Sequence, residues 1–247
     1  MGSVVSESGS TYTWFHNAHE FRLSEWHNDP VRDPTSEAFY IRDEETRRFW
    51  SPMPAPRRGP TPYVCRHGLG YSVFEHTQEG LFTETTVFAC TDAPAKIVLL
   101  KLRNVSDRHR RFSVTGYCQW VLGELRSRNA MHVVSQLDPQ TGALFASNAF
   151  NTDAPGWTAF FQCSERDRNL TADRMEFIGP SGSLVSPAGM RRPALSNRVG
   201  AALDPCAAIR AYADVPPGQE RWVSFVLGAG DNEQHARSLV RSLQTLD

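Results

Sequence analysis

The chain from Tyr63 onward consists of short runs of β-branched and aromatic residues separated by turn-forming residues. This rhythm is typical of an all-β sandwich or barrel. The runs that predict strands are Leu81–Cys90, Lys96–Asn104, Arg111–Leu122, Met131–Leu137, Ala143–Ser147, Trp157–Cys163, Ala207–Ala213 and Arg221–Gly228. Between two of them, Asp138–Gly142 predicts a turn, because its proline presets one backbone angle and its glycine accepts a positive φ. We therefore predict a mostly antiparallel β-sandwich.

Two neighbouring runs differ in their hydrophobic pattern. In Arg111–Leu122, apolar and polar residues alternate, which predicts a strand with one face in the core and the other in water. Lys96–Asn104 is apolar without strict alternation, which predicts a central strand covered on both faces. Because the connection Val105–Arg110 is short and polar, these two runs are predicted to pair as an antiparallel hairpin.

The end of the chain has helical spacing. Asp231 is the predicted N-cap, with Gln234 three residues later. The apolar stripe that follows consists of Ala236, Leu239, Val240, Leu243 and Leu246. We expect residues 231–247 to begin a linker after a β-domain spanning residues 1–230, with the helix docked weakly or projecting. Two segments rich in Gly, Pro and Ser, Asn151–Gly156 and Gly179–Arg198, are predicted to be loops within the β-domain.

Composition narrows the classes of function. With 247 residues, 40% hydrophobic and 21% charged, the chain has ordinary globular usage. A net charge of -1 and a pI near 6.7 exclude the electrostatic footprint of a nucleic-acid binder or a membrane-surface protein. Five scattered cysteines argue against a disulfide framework and favour a reducing compartment. The chain has no apolar run of about 20 residues and Met1–Ser10 lacks a signal-peptide core, so we expect a soluble, cytoplasmic domain.

Catalytic and metal-binding patterns are weak. Glycoside chemistry needs two carboxylates, or one acid and an external nucleophile, across a sugar ring. Acidic residues near the start could supply these carboxylates, but acidic side chains are usually solvated or cap helices and turns. The residues are Glu20, Glu25, Asp29, Asp33, Glu37 and Asp43. A metal cluster of His16, His19, Glu20 and His27 is the less favoured alternative, because the H-E-x-x-H spacing is absent. We therefore predict no catalytic residue, metal or cofactor.

Aromatic and amide side chains are dense near the start. A sugar presents an apolar C–H face and a rim of hydroxyls, so a flat ring beside Asn, Asp and Arg complements it. The candidate sugar-binding residues are Tyr12, Trp14, Asn17, Arg22, Trp26, Asn28 and Asp29. The alternative places these aromatic rings in the sandwich core, and the sequence leaves both interpretations open.

Several motifs carry a resemblance to a known family. Those near the start are Tyr12–Trp14, Asn17, Glu20, Arg22–Leu23, Trp26, Asn28–Val31 and Asp33, and they resemble the N-terminal domain of family 94 glycoside phosphorylases. Later motifs look most like the phosphorylase-type C-terminal region of cyclic β-1,2-glucan synthases; these are Phe39–Asp43, Trp50–Pro52, Arg66–Ser72, Phe74–His76, Trp120–Gly123, Asp138–Phe145 and Arg198–Cys206. The chain departs from the family pattern at Thr11, and at Ser24–Glu25, where the family usually has Thr-Pro.

This resemblance implies a β-supersandwich of two large antiparallel sheets, similar to the galactose mutarotase fold, then a linker helix and an (α/α)6 barrel. In the family, an Asp of the barrel is the general acid and inorganic phosphate is the nucleophile, which places the acid and most of the phosphate site beyond Asp247. The resemblance thus implies a non-catalytic domain that shapes a sugar cleft, with a β-glucan or oligosaccharide, the barrel and a second subunit as partners. Arg66, His67 and Tyr71 are added as candidate binding residues, and the parent protein is expected in the bacterial inner membrane. A purely structural or dimerisation domain is the alternative.

Overall fold

The computed structural model describes residues 1–29 and 31–244, most of which lie in antiparallel strands or the turns between them. In chain order the strands are β1 (Gly2–Val5), β2 (Thr11–Trp14), β3 (Arg22–Ser24), β4 (Glu37–Asp43), β5 (Phe49–Trp50), β6 (Tyr63–His67), β7 (Tyr71–Gln78), β8 (Leu81–Ala89), β9 (Ala95–Asn104), β10 (Arg110–Cys118), β11 (Trp120–Gly123), β12 (Val133–Leu137), β13 (Leu144–Asn148), β14 (Thr158–Cys163), β15 (Arg168–Asp173), β16 (Pro205–Val215) and β17 (Glu220–Gly230). The helices are α1 (Arg126–Asn129), α2 (Arg174–Phe177) and α3 (Glu233–Gln244), with 3₁₀ turns at Ala130–His132 and Ala188–Arg191. The predicted all-β class is confirmed.

The strands form three sheets. The largest has the order β12-β13-β14-β17-β9-β8-β7-β6, the second β15-β16-β10-β4-β5, and the smallest β1-β2-β3-β11. The two larger sheets enclose the main core, where Phe39 of β4 lies 5.5 Å from Phe225 of β17. Gly116 of β10 permits this close packing, because a Cβ there would lie 2.7 Å from the ring of Phe225. The small sheet, which the sequence did not predict, adds Leu23, Trp120 and Leu122 to the same core.

Seven of the eight predicted strands are present with ends shifted by a few residues, whereas Arg111–Leu122 divides into β10 and β11 in different sheets. The predicted hairpin is wrong. β9 pairs with β8 and β17, whereas β10 pairs with β4 and β16 in the other large sheet. Val105–Arg110 therefore crosses between sheets. The buried Asn104 side chain holds this crossing, since its amide nitrogen donates to the carbonyls of Arg108 at 2.7 Å and Val215 at 2.8 Å.

The coverage predicted for these two strands is also wrong. On β9, Val98, Leu100 and Leu102 are buried in the main core, whereas the other face is covered only near its start, where Ala95 and Ile97 lie in the cluster under the C-terminal helix. On β10, both faces are buried after Arg111, and the chain leaves this sheet at Cys118 to form β11 in the small sheet. The residues between 174 and 195 cover the second face, where Phe177 stacks on Tyr117 at 4.9 Å.

Two buried arginines hold this covering loop in place. Arg42 donates to the carbonyls of Met190 at 2.9 Å and Arg192 at 2.7 Å. Arg210 donates to those of Arg192 at 2.9 Å and Gly189 at 2.5 Å. Burial and the nearby Arg42 charge lower the pKa of Arg210 to about 10. Arg42 also pairs with Glu44 at 2.8 Å, so the loop carbonyls complete the hydrogen bonding of both guanidinium groups.

The terminal helix α3 packs on the outer face of the large sheet instead of projecting from it. Ala236 and Val240 are fully buried in a cluster with Phe145, Phe160 and Val226. The N-cap is Asn232, not Asp231, because its side-chain oxygen accepts from the backbone nitrogen of His235 at 2.8 Å. Leu239 and Leu243 are partly buried as the stripe predicts, and Leu246 lies outside the described residues.

A buried ion pair joins all three sheets. Glu37 of β4 and Lys96 of β9 are in direct contact and are 2% and 1% exposed, so the expectation of a solvated Glu37 is wrong. From the small sheet, the hydroxyls of Thr13 and Ser24 each donate to Glu37 at 2.6 Å, and Lys96 donates to Thr13 at 2.8 Å. Burial alone would raise the pKa of Glu37, but Lys96 and these hydrogen bonds outweigh it and hold that pKa below 4.5.

We expect Lys96→Met to destabilise the fold by about 3–5 kcal/mol, because it leaves the buried Glu37 charge uncompensated. Lys101→Met is the matched control on the same strand, since Lys101 pairs with the solvent-accessible Glu220 at 3.0 Å and such pairs contribute about 0–1 kcal/mol. Urea denaturation measures the free energy of unfolding of both variants. The double variant Glu37→Gln/Lys96→Met should recover part of the loss, and equal losses in the two lysine variants would contradict this role.

The stabilisation from Glu37 should depend on pH. Its folded pKa is lower than its unfolded value near 4.5, so its contribution is complete above that value and is lost as pH falls through the folded pKa. Comparing wild type with Glu37→Gln in urea isolates this group, because Asp43 and other carboxyls titrate in both proteins. The stability difference should shrink below about pH 4.5. A difference that stays constant from pH 7 to this range would contradict the assignment.

Candidate functional site

The aromatic residues near the start of the chain divide between two environments. Phe15 and Phe21 are 4% and 2% exposed and pack against Trp157, each at 4.9 Å between ring centroids. Tyr12 and Trp14 lie on the opposite, outward face of β2 and are half-buried, and Trp26 is 42% exposed. The core alternative for Tyr12, Trp14 and Trp26 is therefore not supported, whereas Phe15 and Phe21, which were not among the candidate residues, do lie in the core.

The outward rings lie close together. The Tyr12 ring lies 5.3 Å from Trp14 and 6.0 Å from Trp26, and the Arg22 guanidinium is 5.5 Å from the Trp26 ring. Arg22 is fixed by hydrogen bonds to the carbonyls of Ala18 at 2.8 Å and Glu124 at 3.0 Å. We name Tyr12, Trp14, Arg22 and Trp26 the outer aromatic cluster. Its members are held before any ligand arrives.

Trp14 is the most firmly packed member of the outer aromatic cluster. Gly2 of β1 lies directly opposite it in the small sheet, and a Cβ at Gly2 would lie 2.2 Å from the indole ring. The glycine therefore lets the indole lie flat on the neighbouring strand. Trp26 has no such cover and offers the most accessible ring of the group.

A shallow cleft of about 80 Å³ lies beside Tyr12 and Trp26. Glu25, His27 and Asp33 also line it. Glu25 accepts a hydrogen bond from the Gln119 side chain at 2.6 Å and lies 3.7 Å from His27. Since pockets that enclose a ligand measure about 300–1,000 Å³, this cleft suits a hydroxyl or one ring edge beside an open stacking surface.

The acids of the cleft are already engaged in local structure. Asp33 accepts from the hydroxyl of Ser6 at 2.6 Å and from that of Ser8. These bonds join the loop after β1 to the segment before β4. Both Asp33 and Glu25 therefore act as hydrogen-bond acceptors that shape the cleft, and each keeps accepting capacity for a ligand hydroxyl.

The other predicted polar residues lie outside the outer aromatic cluster. Asn17 accepts from the backbone nitrogens of His19 at 2.8 Å and Glu20 at 3.2 Å, and Asp29 accepts in the same way from the nitrogens at positions 31 and 32, at 3.2 and 3.0 Å. These side chains organise turns. Asn28 is exposed beside Asp29.

Arg66, His67 and Tyr71 lie in the β6–β7 hairpin at the edge of the largest sheet. Arg66 pairs with Glu75, and His67 lies 2.8 Å from the hydroxyl of Ser72. Tyr71 is 51% exposed and covers Gly68. In residues 1–29 and 31–244, these three share no hydrogen bond or ring contact with the outer aromatic cluster, so the predicted residues form two patches.

The histidines considered as metal ligands face different partners. His16 lies 3.7 Å from Asp231, His19 lies 3.6 Å from Glu124, and His27 is the neighbour of Glu25 described above. Within the described part of the chain, no group of three His, Cys, Asp or Glu side chains could hold a metal ion.

The sequence contained no sign of Gln119, and it did not indicate that Glu25, His27 and Asp33 lie beside the rings. Gln119 is 94 residues from Glu25 along the chain, so nothing local indicated their contact. The alternation of Thr11–Trp14, in contrast, does contain the signal that separates inward threonines from outward rings.

Comparison with known proteins gives one family across the chain. The profile described as "Glycosyl hydrolase 94, supersandwich domain" matches residues 1–246. The chain is 36% identical over 246 residues to the cyclic beta-(1,2)-glucan synthase NdvB of Rhizobium meliloti (strain 1021), a match that covers 99% of this chain and 9% of the synthase. It is 30% identical over 209 residues to solabiose phosphorylase of Paenibacillus borealis, covering 83% of this chain and 27% of that enzyme. The chain thus spans less than a third of either relative.

Among solved structures, the fold resembles part of a bacterial glucoamylase complexed with acarbose, with a TM-score of 0.55 over 94% of this chain and 31% of that chain. The two sequences are 7% identical, so the likeness concerns the fold alone. None of the helices described here has the length and apolar character needed to cross a bilayer.

Proposed function

The chain belongs to the glycosyl hydrolase 94 supersandwich-domain family, and from this premise we propose that it is a non-catalytic, carbohydrate-binding domain of a larger β-glucan-processing enzyme. Its role is to present a stacking surface along a sugar cleft. The observation that carries the proposal is the outer aromatic cluster, in which Tyr12 and Trp26 border a cleft lined by Glu25, His27 and Asp33.

The chemistry of this surface suits a neutral glycan. The exposed Trp26 ring offers a flat face for the C–H side of a pyranose. Glu25 and Asp33 can accept hydrogen bonds from sugar hydroxyls, and Arg22 can donate hydrogen bonds to the oxygens of those hydroxyls. Because the surface is open, a bound sugar keeps one side in water, and we expect weak affinity in the millimolar range, about 4 kcal/mol at the standard state.

The relatives support a division of labour. By name they are a cyclic β-1,2-glucan synthase and a phosphorylase, and this chain corresponds to 9% of the first and 27% of the second. We propose that an (α/α)6 barrel elsewhere in the parent protein supplies the general acid and the phosphate site, and that residues 231–247 begin the linker toward it. The five unpaired cysteines favour a cytoplasmic location.

A second candidate function is assembly with another subunit. β6 is an edge strand of the largest sheet, and its hairpin carries the fully exposed Leu69, the half-exposed Tyr71 and Val64 at 48% exposure. Edge strands with exposed apolar side chains are surfaces for pairing with another chain. This alternative gives the β6–β7 hairpin a role in dimerisation.

Titration with a β-1,2-linked gluco-oligosaccharide should perturb NMR signals of the outer aromatic cluster, and Trp26→Ala should abolish the response. Trp222→Ala is the matched control, since Trp222 is 44% exposed and stacks on Lys101 elsewhere in the largest sheet. Both variants should keep the wild-type circular dichroism. Undiminished binding by Trp26→Ala would contradict the site. Concentration-dependent dimerisation without sugar binding would favour the second function.

The purified chain, incubated with β-glucan oligosaccharides and inorganic phosphate, should release no sugar phosphate. The physical reason is that Glu25 and Asp33 already shape the cleft through Gln119, Ser6 and Ser8, and that the family places the acid outside this domain. Chromatography of the products, with phosphate analysis, measures the amount of sugar phosphate released. Turnover that persists in repeatedly purified protein would overturn the non-catalytic assignment.

A further inference from the structure

A cavity of about 400 Å³ lies where the β4–β5 turn, residues 57–60, the end of β7 and the 3₁₀ turn at Ala188–Arg191 meet. Its charged lining consists of Arg47, Arg48, Arg57, Arg58, Arg191 and Glu79. It shares no lining residue with the cleft beside Tyr12 and Trp26. A strongly positive concave surface in a chain of net charge -1 favours an anionic ligand.

The positive charge of this cavity is only partly compensated. Arg47 pairs with Glu44 at 2.7 Å, and Arg48 pairs with Glu79 at 3.1 Å. Arg57, Arg58 and Arg191 have no carboxylate partner in the described residues, and Arg58 forms no hydrogen bond there either. Three guanidinium groups are therefore available to an incoming anion.

Arg57 is held in one orientation. Its Nε donates to the Phe49 carbonyl at 2.9 Å, its Nη1 donates to the Val185 carbonyl at 3.0 Å, and its guanidinium lies 4.3 Å from the Phe49 ring centroid. Its Nη2 forms no hydrogen bond within residues 1–29 and 31–244 and can therefore bind a ligand. Such pre-organisation lowers the entropy lost on binding.

The loop that carries Arg57 and Arg58 is also braced. The Tyr63 hydroxyl donates to the Ser51 carbonyl at 2.8 Å and accepts from the Gly59 nitrogen at 2.9 Å. Arg191, on the opposite wall, donates to the hydroxyl of Ser186 at 2.7 Å. The arginines therefore stand on elements that are tied down on both sides of the cavity.

Two buried polar atoms belong to side chains that line the cavity. Trp50 and Gln78 are 1% and 8% exposed, and Trp50 Nε1 and Gln78 Oε1 have no hydrogen-bond partner in the described residues. Buried polar groups normally have a partner. The indole N–H is a donor suited to an anion, and the amide oxygen is an acceptor suited to a hydroxyl.

We propose that this cavity binds a phosphate monoester that also carries hydroxyl groups, such as a sugar phosphate. Planar guanidinium forks match the oxygens of a phosphate, and the volume is in the range of small-molecule sites, about 300–1,000 Å³. The amide oxygen of Gln78 would accept a hydrogen bond from a sugar hydroxyl of the ligand. Inorganic phosphate has no sugar hydroxyl and would not make this contact. Binding at this cavity does not require sugar stacking at Trp26.

Calorimetric titration at low ionic strength with glucose 6-phosphate, inorganic phosphate and glucose tests the proposal. We expect glucose 6-phosphate to bind more tightly than inorganic phosphate, and glucose not to compete. Arg58→Gln and Arg191→Gln should each weaken glucose 6-phosphate binding by about tenfold or more, because each removes a charge-assisted hydrogen bond. Arg221 of β17 is an exposed arginine paired with Glu165, and Arg221→Gln should bind as wild type.

Added sodium chloride should weaken the binding further, since it screens exposed charges. The proposal is overturned by no measurable binding of either phosphate compound, by equal affinity for inorganic phosphate and glucose 6-phosphate, or by variants that bind as tightly as wild type. Binding confined to vesicles of anionic lipid would also overturn it, because the ligand would then be a membrane surface. Circular dichroism confirms that the variants are folded.

Discussion

The buried ion pair of Glu37 and Lys96 is the interaction on which the arrangement of the three sheets depends. Each partner comes from a different large sheet, and the hydroxyls of Thr13 and Ser24 bring the small sheet to the same point. Removing two charges from water is costly, so a buried pair persists only when its remaining hydrogen bonds are satisfied. Here the two hydroxyls fulfil that condition, and they thereby fix the small sheet against the sandwich.

The position of the candidate site follows from this constraint. Thr13 lies between Tyr12 and Trp14 on β2, and since successive side chains of a strand point to opposite faces, an inward Thr13 directs both rings outward. Ser24 plays the same part for β3 and precedes Glu25 and Trp26. The inward hydroxyls thus hold the outer aromatic cluster on the surface.

The sequence predicted the positions of the strands well. It failed to predict which strand faces are buried where segments distant along the chain cover them. β10 looks half-exposed because Ser113 and Thr115 are polar, yet residues far along the chain, near Phe177 and Met190, bury that face. The ion pair was missed because Glu37 and Lys96 are 59 residues apart and each resembles an ordinary surface residue. The aromatic density near the start was visible in the sequence, and the alternation in Thr11–Trp14 already indicated that Tyr12 and Trp14 share one face.

The central claim is that the outward rings form a stacking surface for a glycan. Saturation-transfer difference NMR with a β-1,2-linked gluco-oligosaccharide, with irradiation of the aromatic protons, tests it most directly. If a pyranose stacks on Trp26, the strongest transfer should reach the ring protons of one sugar face, and it should disappear in Trp26→Ala. Transfer spread evenly over the sugar, or unchanged in that variant, would contradict the account.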